Sequence, residues 1–296
     1  MTKTPSRPQR FVKTIRSVVT DLLTPPLITR EDNLRRERIK SVFSKPTRAP
    51  VIIFGVQKSG TSAISGLLGE ATALRTQIDF QGAWEPFMTD LVLGRTEIAD
   101  FVNKNAWAFS AKIIKEPCLT FVAPQVMAHF PNGQAVFVVR EPARNIQSIL
   151  NRLRLSGQDT TLDANQGAAL NDTWRSILTG QDMGLQGLNT IEVLARRWQR
   201  AAEIYYADSD QYILVRYEDF LAGKVTEIGH LAKSLNIPVK HDIHHLVDVA
   251  FQPAARNRVG PLAFFGQKNL SLIHEICGPA AAKLGYAERM DQDLGT

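Results

Sequence analysis

The segment 51–68, VIIFGVQKSGTSAISGLL, constrains the fold more than any other part of the chain. A short apolar run leads into a glycine-containing loop, and a pattern typical of a helix follows. Gly55 and Gly60 have the spacing of the phosphate-binding motif G-x-x-x-x-G-K-[ST]. Thr61 stands where that motif has its lysine, and Lys58 lies inside the loop instead. The segment predicts a buried strand and an anion-binding loop at a helix start, although alone it also fits a plain glycine turn.

Apolar runs and helical patterns alternate along the rest of the chain. Strands are predicted at 51–55, 111–115, 135–140 and 212–217, with helices after the first and third of them and before the fourth. This alternation predicts an α/β fold, a parallel sheet covered by helices on both faces. The polar segment 157–172 is predicted to be a loop beside the site, either a mobile lid or an inert surface loop.

Composition favours a globular cytoplasmic protein. The 296 residues are 44% hydrophobic, which is enough for a substantial core. No apolar run approaches the roughly 18 residues that a membrane span needs, and no secretory signal is recognised. Cys118 and Cys277, the only cysteines, do not make a disulfide framework and fit a reducing compartment.

Positive charge is concentrated at the start of the chain. Residues 1–50 contain 12 Lys and Arg against four acidic residues, so the body carries a net charge of −2 within the total of +6. We therefore expect no nucleic-acid partner and divide the chain into a basic, partly helical extension (1–49) and a domain that forms the body (50–296). An amphipathic helix is predicted at 11–23, which would pack on the body or a second subunit, or lie on an anionic membrane. Residues 30–40 predict a solvated, charged helix.

A second signal lies in VFVVREPARNIQSILNRL, residues 136–153. Arg140 ends a predicted strand, where α/β folds bind ligands, and Ser148 lies in the next predicted helix. A guanidinium and a hydroxyl at these positions could hold a second phosphate, whereas Arg140 alone would equally fit a strand-end salt bridge.

Together, strand-G-x-x-K-S-G-T-S followed by strand-R-x-P-x(5)-S resembles the sulfotransferases that use 3′-phosphoadenosine 5′-phosphosulfate (PAPS). The segment LVRYEDF adds a third match and RNRVG a weaker fourth, and AAKLGY at 281–286 is also typical, so the resemblance covers about 51–286. It implies a three-layer sandwich with the topology of P-loop NTPases, and PAPS as donor with 3′-phosphoadenosine 5′-phosphate (PAP) as product. The residues that it assigns to the nucleotide are Gly55, Gln57, Lys58, Ser59, Gly60, Thr61, Ser62, Arg140, Ser148, Tyr217, Arg256, Arg258 and Gly260.

The resemblance also implies the catalytic roles. Lys58 would neutralise the charge that develops on the bridging oxygen as PAP leaves, without a metal ion, and Ser148 would contact this lysine. The segment GAWEPF makes Glu85 the first candidate for the general base, with Glu116 second. Glu85 also fits a helix-start carboxylate. Lys115 would hold the sulfuryl oxygens or the acceptor, unless it is a surface lysine.

The expected reaction is sulfuryl transfer to a hydroxyl of a carbohydrate or glycoconjugate, with a small alcohol, lipid or natural product as alternatives. A P-loop kinase or NTPase and an inactive nucleotide-binding scaffold are the alternatives outside this class. The sequence leaves open whether the protein forms a homodimer. Two further groups of residues each have two possible roles. The aromatic side chains could line the acceptor pocket or pack in the core; they are Trp84, Phe87 and Trp107. The histidines could bind a metal ion or have ordinary surface and packing roles; they are His241, His244 and His245.

Overall fold

The centre of the molecule is a parallel sheet. The computed structural model describes residues 30–159, 161–247 and 259–294. Its five strands are β1 (Val51–Phe54), β2 (Thr76–Ile78), β3 (Ile113–Lys115), β4 (Gln134–Val139) and β5 (Tyr212–Arg216). Their order in the sheet is β2-β3-β1-β4-β5, and every neighbouring pair is parallel. The four predicted strands are confirmed, and β2 is a fifth that the sequence patterns did not reveal.

Helices connect and cover these strands. The α-helices within the described residues are α1 (Arg30–Val42), α2 (Thr61–Thr72), α3 (Phe87–Val92), α4 (Ile98–Lys104), α5 (Ala106–Phe109), α6 (Ala123–His129), α7 (Pro142–Leu153), α8 (Ala164–Ala169), α9 (Asp172–Thr179), α10 (Thr190–Ala207), α11 (Tyr217–Ala222), α12 (Lys224–Ser234), α13 (Pro261–Lys283) and α14 (Ala287–Leu294). Short 3₁₀ helices lie at Gln81–Ala83, Pro117–Val122, Gln181–Met183, Ser209–Gln211 and His244–Leu246. None of these helices has the length and apolar character of a membrane-spanning helix.

Alternate residues of the sheet enter two separate hydrophobic cores. Val51 and Ile53 pack with side chains of α2 and α12 on one face. Ile52 and Phe54 pack with side chains of α7, α10 and α13 on the other. Successive side chains of a strand point to opposite faces, so continuous apolar strands require helices on both sides. The predicted three-layer α/β sandwich is confirmed.

The segment 157–172 is more regular than predicted. It was expected to be a loop, but α8 occupies 164–169, and this part of the prediction is wrong. Asp163 accepts a hydrogen bond from the Gln166 amide (2.7 Å), and the Gln166 side chain accepts one from the Asp163 amide (2.9 Å). This reciprocal cap stabilises a short helix that buries no residue, so apolar periodicity could not reveal it.

The helix predicted over 30–40 is confirmed as α1, whereas the predicted helix over 11–23 lies outside the described residues. α1 contacts the body through two hydrogen bonds. The Gln81 amide donates to Glu37 Oε2 (3.0 Å), and the Trp107 amide donates to Ser41 Oγ (3.2 Å). Burial raises the pKa of Glu37. The later part of the extension is therefore attached to the body beside Gln81–Ala83.

A buried ion pair links α10 to the 3₁₀ helix Gln181–Met183. Arg197 is among the largest fully buried side chains, and it forms an ion pair with the equally buried Asp182. Its guanidinium also lies 4.3 Å from the centroid of the Phe121 ring. Removing one partner would leave the other charge in the interior without compensation.

We predict that Asp182→Ala lowers the free energy of unfolding by about 3–5 kcal/mol, because Arg197 then stays buried without its counterion. Urea unfolding measures this loss. The matched double variant Asp182→Leu/Arg197→Met removes both charges, and its free energy of unfolding should fall clearly less. A single substitution that costs no more than the double one would contradict the prediction.

Candidate nucleotide-binding and catalytic site

The two predicted phosphate-binding segments meet at one edge of the sheet. β1 and β4 are neighbours, but the chain leaves β1 toward β2 on one side and leaves β4 toward β5 on the other. Such a switch opens a crevice at the carboxyl ends of the strands, where α/β proteins bind ligands. The loop that contains Lys58 follows β1, and Arg140 follows β4.

The loop after β1 depends on two glycines. Gly55 and Gly60 have φ values of 141° and 93°. A Cβ atom at Gly55 would lie 2.5 Å from the carbonyl oxygen of Val138, and one at Gly60 would lie 2.2 Å from the Tyr217 ring. Lys58 also has a positive φ, 68°. The loop therefore follows a path that requires glycine, and Tyr217 lies directly against it.

The loop leads into the N-terminus of α2, which begins at Thr61 with Ser62 next. Gly60, in the cap position, has no side chain that could accept hydrogen bonds from the first amides of the helix. These amides, together with the two hydroxyls, make a site of the kind that binds phosphate.

Gln57 and Ser59 make contacts inside the protein. Asn145 Nδ2 on α7 donates to the Gln57 carbonyl oxygen and to Ser59 Oγ, both at 3.0 Å. The side-chain oxygen of Gln57 lies 3.4 Å from Arg197 Nε. The structure therefore assigns the side chains of Gln57 and Ser59 to holding the loop. Asn145 was missed in the sequence, although it lies within the second motif.

Arg140 connects the two motifs. Its Nη1 donates to the Lys58 carbonyl oxygen (3.0 Å), and its guanidinium lies 4.6 Å from the centroid of the Tyr217 ring. Trp198 Nε1 donates to the Arg140 carbonyl oxygen (2.9 Å), which fixes the backbone here. Arg140 Nε is buried and has no hydrogen-bond partner in the part of the chain that the structure describes. A buried donor without a partner fits a ligand that would accept from it.

Cations converge on the Lys58 amine. Burial, and secondarily the positive charges of Arg152, Arg140 and Lys115, lower its pKa to about 7. Arg152 was not recognised in the sequence. It lies four residues after Ser148 on α7, and residues four apart share one face of a helix, so half-buried Ser148 is directed to the same side. Arg152 could have been identified in the sequence from the residues that share a face of this helix with Ser148.

Lys115 and Glu116 end β3 in buried positions. Lys115 Nζ forms an ion pair with Asp79 Oδ1 at 2.7 Å, so Lys115 is not a surface lysine. The Glu116 carboxylate accepts hydrogen bonds from the amides of Cys118 and Phe80, each at 3.4 Å. Burial, and secondarily the charge of Asp79, raise the pKa of Glu116 to about 8.

Glu85 lies just before α3 and is buried. The Thr89 hydroxyl donates to its Oε1, and the Thr89 amide donates to Oε2 at 3.4 Å. The Glu85 amide donates to Thr173 Oγ1 (3.0 Å), and Thr89 Oγ1 lies 3.4 Å from Ser176 Oγ on α9. The helix-start role, one of the two alternatives for Glu85, is therefore observed.

The remaining predicted site residues lie at the margins. Gly260 immediately precedes α13, and the neighbouring Val259 carbonyl accepts from Gln147 Nε2 on α7 at 3.0 Å. Val259, immediately before Gly260, therefore contacts the helix that contains Ser148. Arg256 and Arg258 lie outside the described residues.

Two of the aromatic residues that could line the acceptor pocket lie against basic side chains of α1. The centroid of the Trp107 ring lies 4.4 Å from Lys40 Nζ and 5.1 Å from the Arg75 guanidinium, and that of the Phe87 ring lies 5.1 Å from the Arg38 guanidinium. Trp84 packs against the core that contains Ile52 and Phe54.

Two of the three histidines of 241–245 contact nearby oxygens. His241 Nδ1 lies 2.9 Å from the Glu70 carbonyl oxygen, and His244 contacts Asp242. Within 30–159, 161–247 and 259–294, no group of three or more His, Cys, Asp or Glu side chains is arranged to hold a metal ion.

Comparison with known proteins gives structural relatives only. The sequence matches no protein-family model and no curated protein. The structure is similar to that of mouse sulfotransferase SULT7A1, complexed with PAP, with a TM-score of 0.51 and 12% identity over 92% of this chain and 99% of the mouse chain. It is also similar to sulfotransferase STF9 from Mycobacterium avium, with a TM-score of 0.50 and 12% identity over 95% and 92% of the two chains. At such low identity the likeness concerns architecture, and the chain has the P-loop-like α/β fold of the sulfotransferases.

Proposed function

We propose that this protein is a sulfotransferase that moves a sulfuryl group from PAPS to an acceptor hydroxyl and releases PAP. One observation carries the proposal: the amine of Lys58 lies in a glycine loop at a helix N-terminus, where Arg140, Arg152 and Lys115 add positive charge. A lysine whose pKa is lowered by neighbouring cations marks a place where a strongly anionic ligand is favoured.

The donor would be held at two places. The 5′-phosphosulfate would bind to the loop after β1 and to the amides and hydroxyls of Thr61 and Ser62. The 3′-phosphate would accept from Arg140, whose Nε is buried without a partner among the described residues, and from Ser148. Gly260 and the arginines before it would close this side, and Tyr217, packed on Gly60, would border the nucleotide.

The reaction would be an in-line displacement at sulfur. The acceptor oxygen attacks the sulfur atom, and the bond from sulfur to the bridging oxygen breaks with its electron pair staying on that oxygen. Lys58, as an ammonium, neutralises the new charge, which is the role that gives preorganised electrostatics its catalytic effect. Lys115, fixed by its ion pair with Asp79, would hold the sulfuryl oxygens. The proton of the acceptor hydroxyl passes to a general base, and no metal ion takes part.

Glu85 is the better candidate for that base. A general base must be unprotonated at the working pH. Glu116, with a pKa raised to about 8, would be mostly protonated at pH 7, and its oxygens accept from two backbone amides. The contacts of Glu85 with Thr89 hold the carboxylate in place, which a base requires. The acceptor that we propose is a carbohydrate or glycoconjugate hydroxyl, and small alcohols and lipids are the alternatives.

Calorimetric titration tests the donor assignment. PAP and ATP are each titrated into the protein with Mg²⁺ and with EDTA. We expect PAP to bind with the same affinity in both buffers and ATP to bind negligibly. Binding of ATP that requires Mg²⁺, with no binding of PAP, would support a kinase or NTPase and reject the proposal.

The lowered pKa of Lys58 predicts that PAP binding takes up a proton. Above pH 7 the amine of the free protein is mostly neutral, and the phosphate of PAP raises its pKa in the complex. Affinity should therefore fall as pH rises above 7, by up to about tenfold per pH unit. Titrations at pH 8 in buffers of different ionisation enthalpy measure the uptake. The matched variant Lys58→Arg, which stays charged, should bind PAP without it; equal uptake in both proteins would contradict the assignment.

Paired substitutions distinguish the two glutamates. We predict that Glu85→Gln lowers the rate of ³⁵S transfer from labelled PAPS to acceptors in a cell extract by about 10²–10⁴-fold, because the amide cannot accept the proton. PAP affinity should not change. Glu116→Gln, which resembles the protonated acid, should keep most of the activity. The reverse order of the two variants would make Glu116 the base.

A further inference from the structure

The outer face of α1 carries apolar side chains that the body does not cover. Glu37 and Ser41 are one helical turn apart, and both hydrogen-bond to the body, so they define the inner face. Ile39, Val42 and Phe43 come from the opposite side and the end of the helix. They are 53%, 79% and 87% exposed. We call these three residues the outer patch.

Basic side chains surround the outer patch. Arg35 and Arg36, four and three residues before Ile39, are exposed on the same side of α1, and Lys40, Lys45 and Arg48 are exposed next to it. Over 33–49 the chain has six Lys and Arg and one acidic residue, Glu37, which is turned to the body. The exposed acidic residues of α1 lie in its first turn, away from the patch.

We propose that the outer patch and its surrounding cations form a docking surface for an anionic lipid bilayer. Apolar side chains with a basic surround bind such a surface by entering the boundary of the acyl chains while the cations contact lipid phosphates. Phe43, Val42 and Ile39 would provide the apolar part, and the arginines the charged part.

Charge favours an anionic bilayer over two other possible partners of the outer patch, residues 1–29 and a second copy of the chain. Residues 1–29, which precede α1, have five Lys and Arg against one acidic residue, so they are repelled by the cations around the patch. A second copy of the chain would bring the same cations face to face across a two-fold contact. A negatively charged lipid surface complements the patch and attracts residues 1–29 as well. The surface lies on α1, and its docking does not depend on which reaction the protein catalyses.

Vesicle sedimentation tests the proposal with the full chain. Phosphatidylcholine vesicles with added phosphatidylglycerol are compared with pure phosphatidylcholine at low and physiological salt. We expect binding to the anionic vesicles only, weaker at the higher salt. The triple variant Ile39→Ser/Val42→Ser/Phe43→Ser should reduce the partition coefficient at least about tenfold. These side chains are largely exposed, so the fold, checked by circular dichroism, should not change.

A matched control uses apolar side chains of similar exposure elsewhere. Leu221 and Val239 are 49% and 54% exposed, and Leu221→Ser/Val239→Ser should bind as the unmodified protein does. The proposal is overturned if the protein ignores anionic vesicles, if the triple variant binds them as well as the parent, or if the control variant loses binding equally. It is also overturned if sedimentation equilibrium finds a dimer that the triple variant converts to a monomer, because a second copy would then cover the patch.

Discussion

The hydrogen bond from Arg140 to the Lys58 carbonyl oxygen is the contact on which the rest of the site depends. It joins the loop after β1 to the end of β4, the two strands between which the crevice opens. Asn145, one turn along α7, holds the same loop at Gln57 and Ser59. The loop has positive φ at three positions, and such backbone conformations cost free energy. The loop would not keep this path without contacts that hold it there. The position of the Lys58 amine follows from these contacts.

Charge within the site is unevenly compensated. Arg197 and Lys115 each have a carboxylate partner, Asp182 and Asp79. Around Lys58 the effect of the neighbouring charges is the opposite, because three cations lower its pKa. Concentrating like charges costs free energy in the protein without ligand, and binding of an anion offsets that cost. We propose that the cations around Lys58 serve phosphosulfate binding, whereas the buried pair of Arg197 and Asp182 serves stability.

The strands, the loop and Arg140 could be predicted from sequence because their signals are local. Continuous apolar runs make buried strands, and the glycine spacing makes the loop. β2 could not be found, since three residues of mixed polarity have no pattern of their own and form a strand only by pairing with β3. α8 was missed because its stability comes from a cap. Asp79 joins the site through packing of distant segments, which no spacing in the sequence reveals. Arg152, in contrast, lies four residues after Ser148 on α7, and this spacing was overlooked. α1 was predicted as a solvated helix, and its attachment to Gln81 and Trp107 became visible only in the fold.

A crystal structure of the protein with PAP tests the central claim most directly. The account predicts that the 5′-phosphate lies in the loop between Gly55 and Thr61, within hydrogen-bonding distance of Lys58, and that the 3′-phosphate contacts Arg140 and Ser148. A complex with the 5′-phosphate outside this loop, or with the 3′-phosphate away from Arg140, would contradict it.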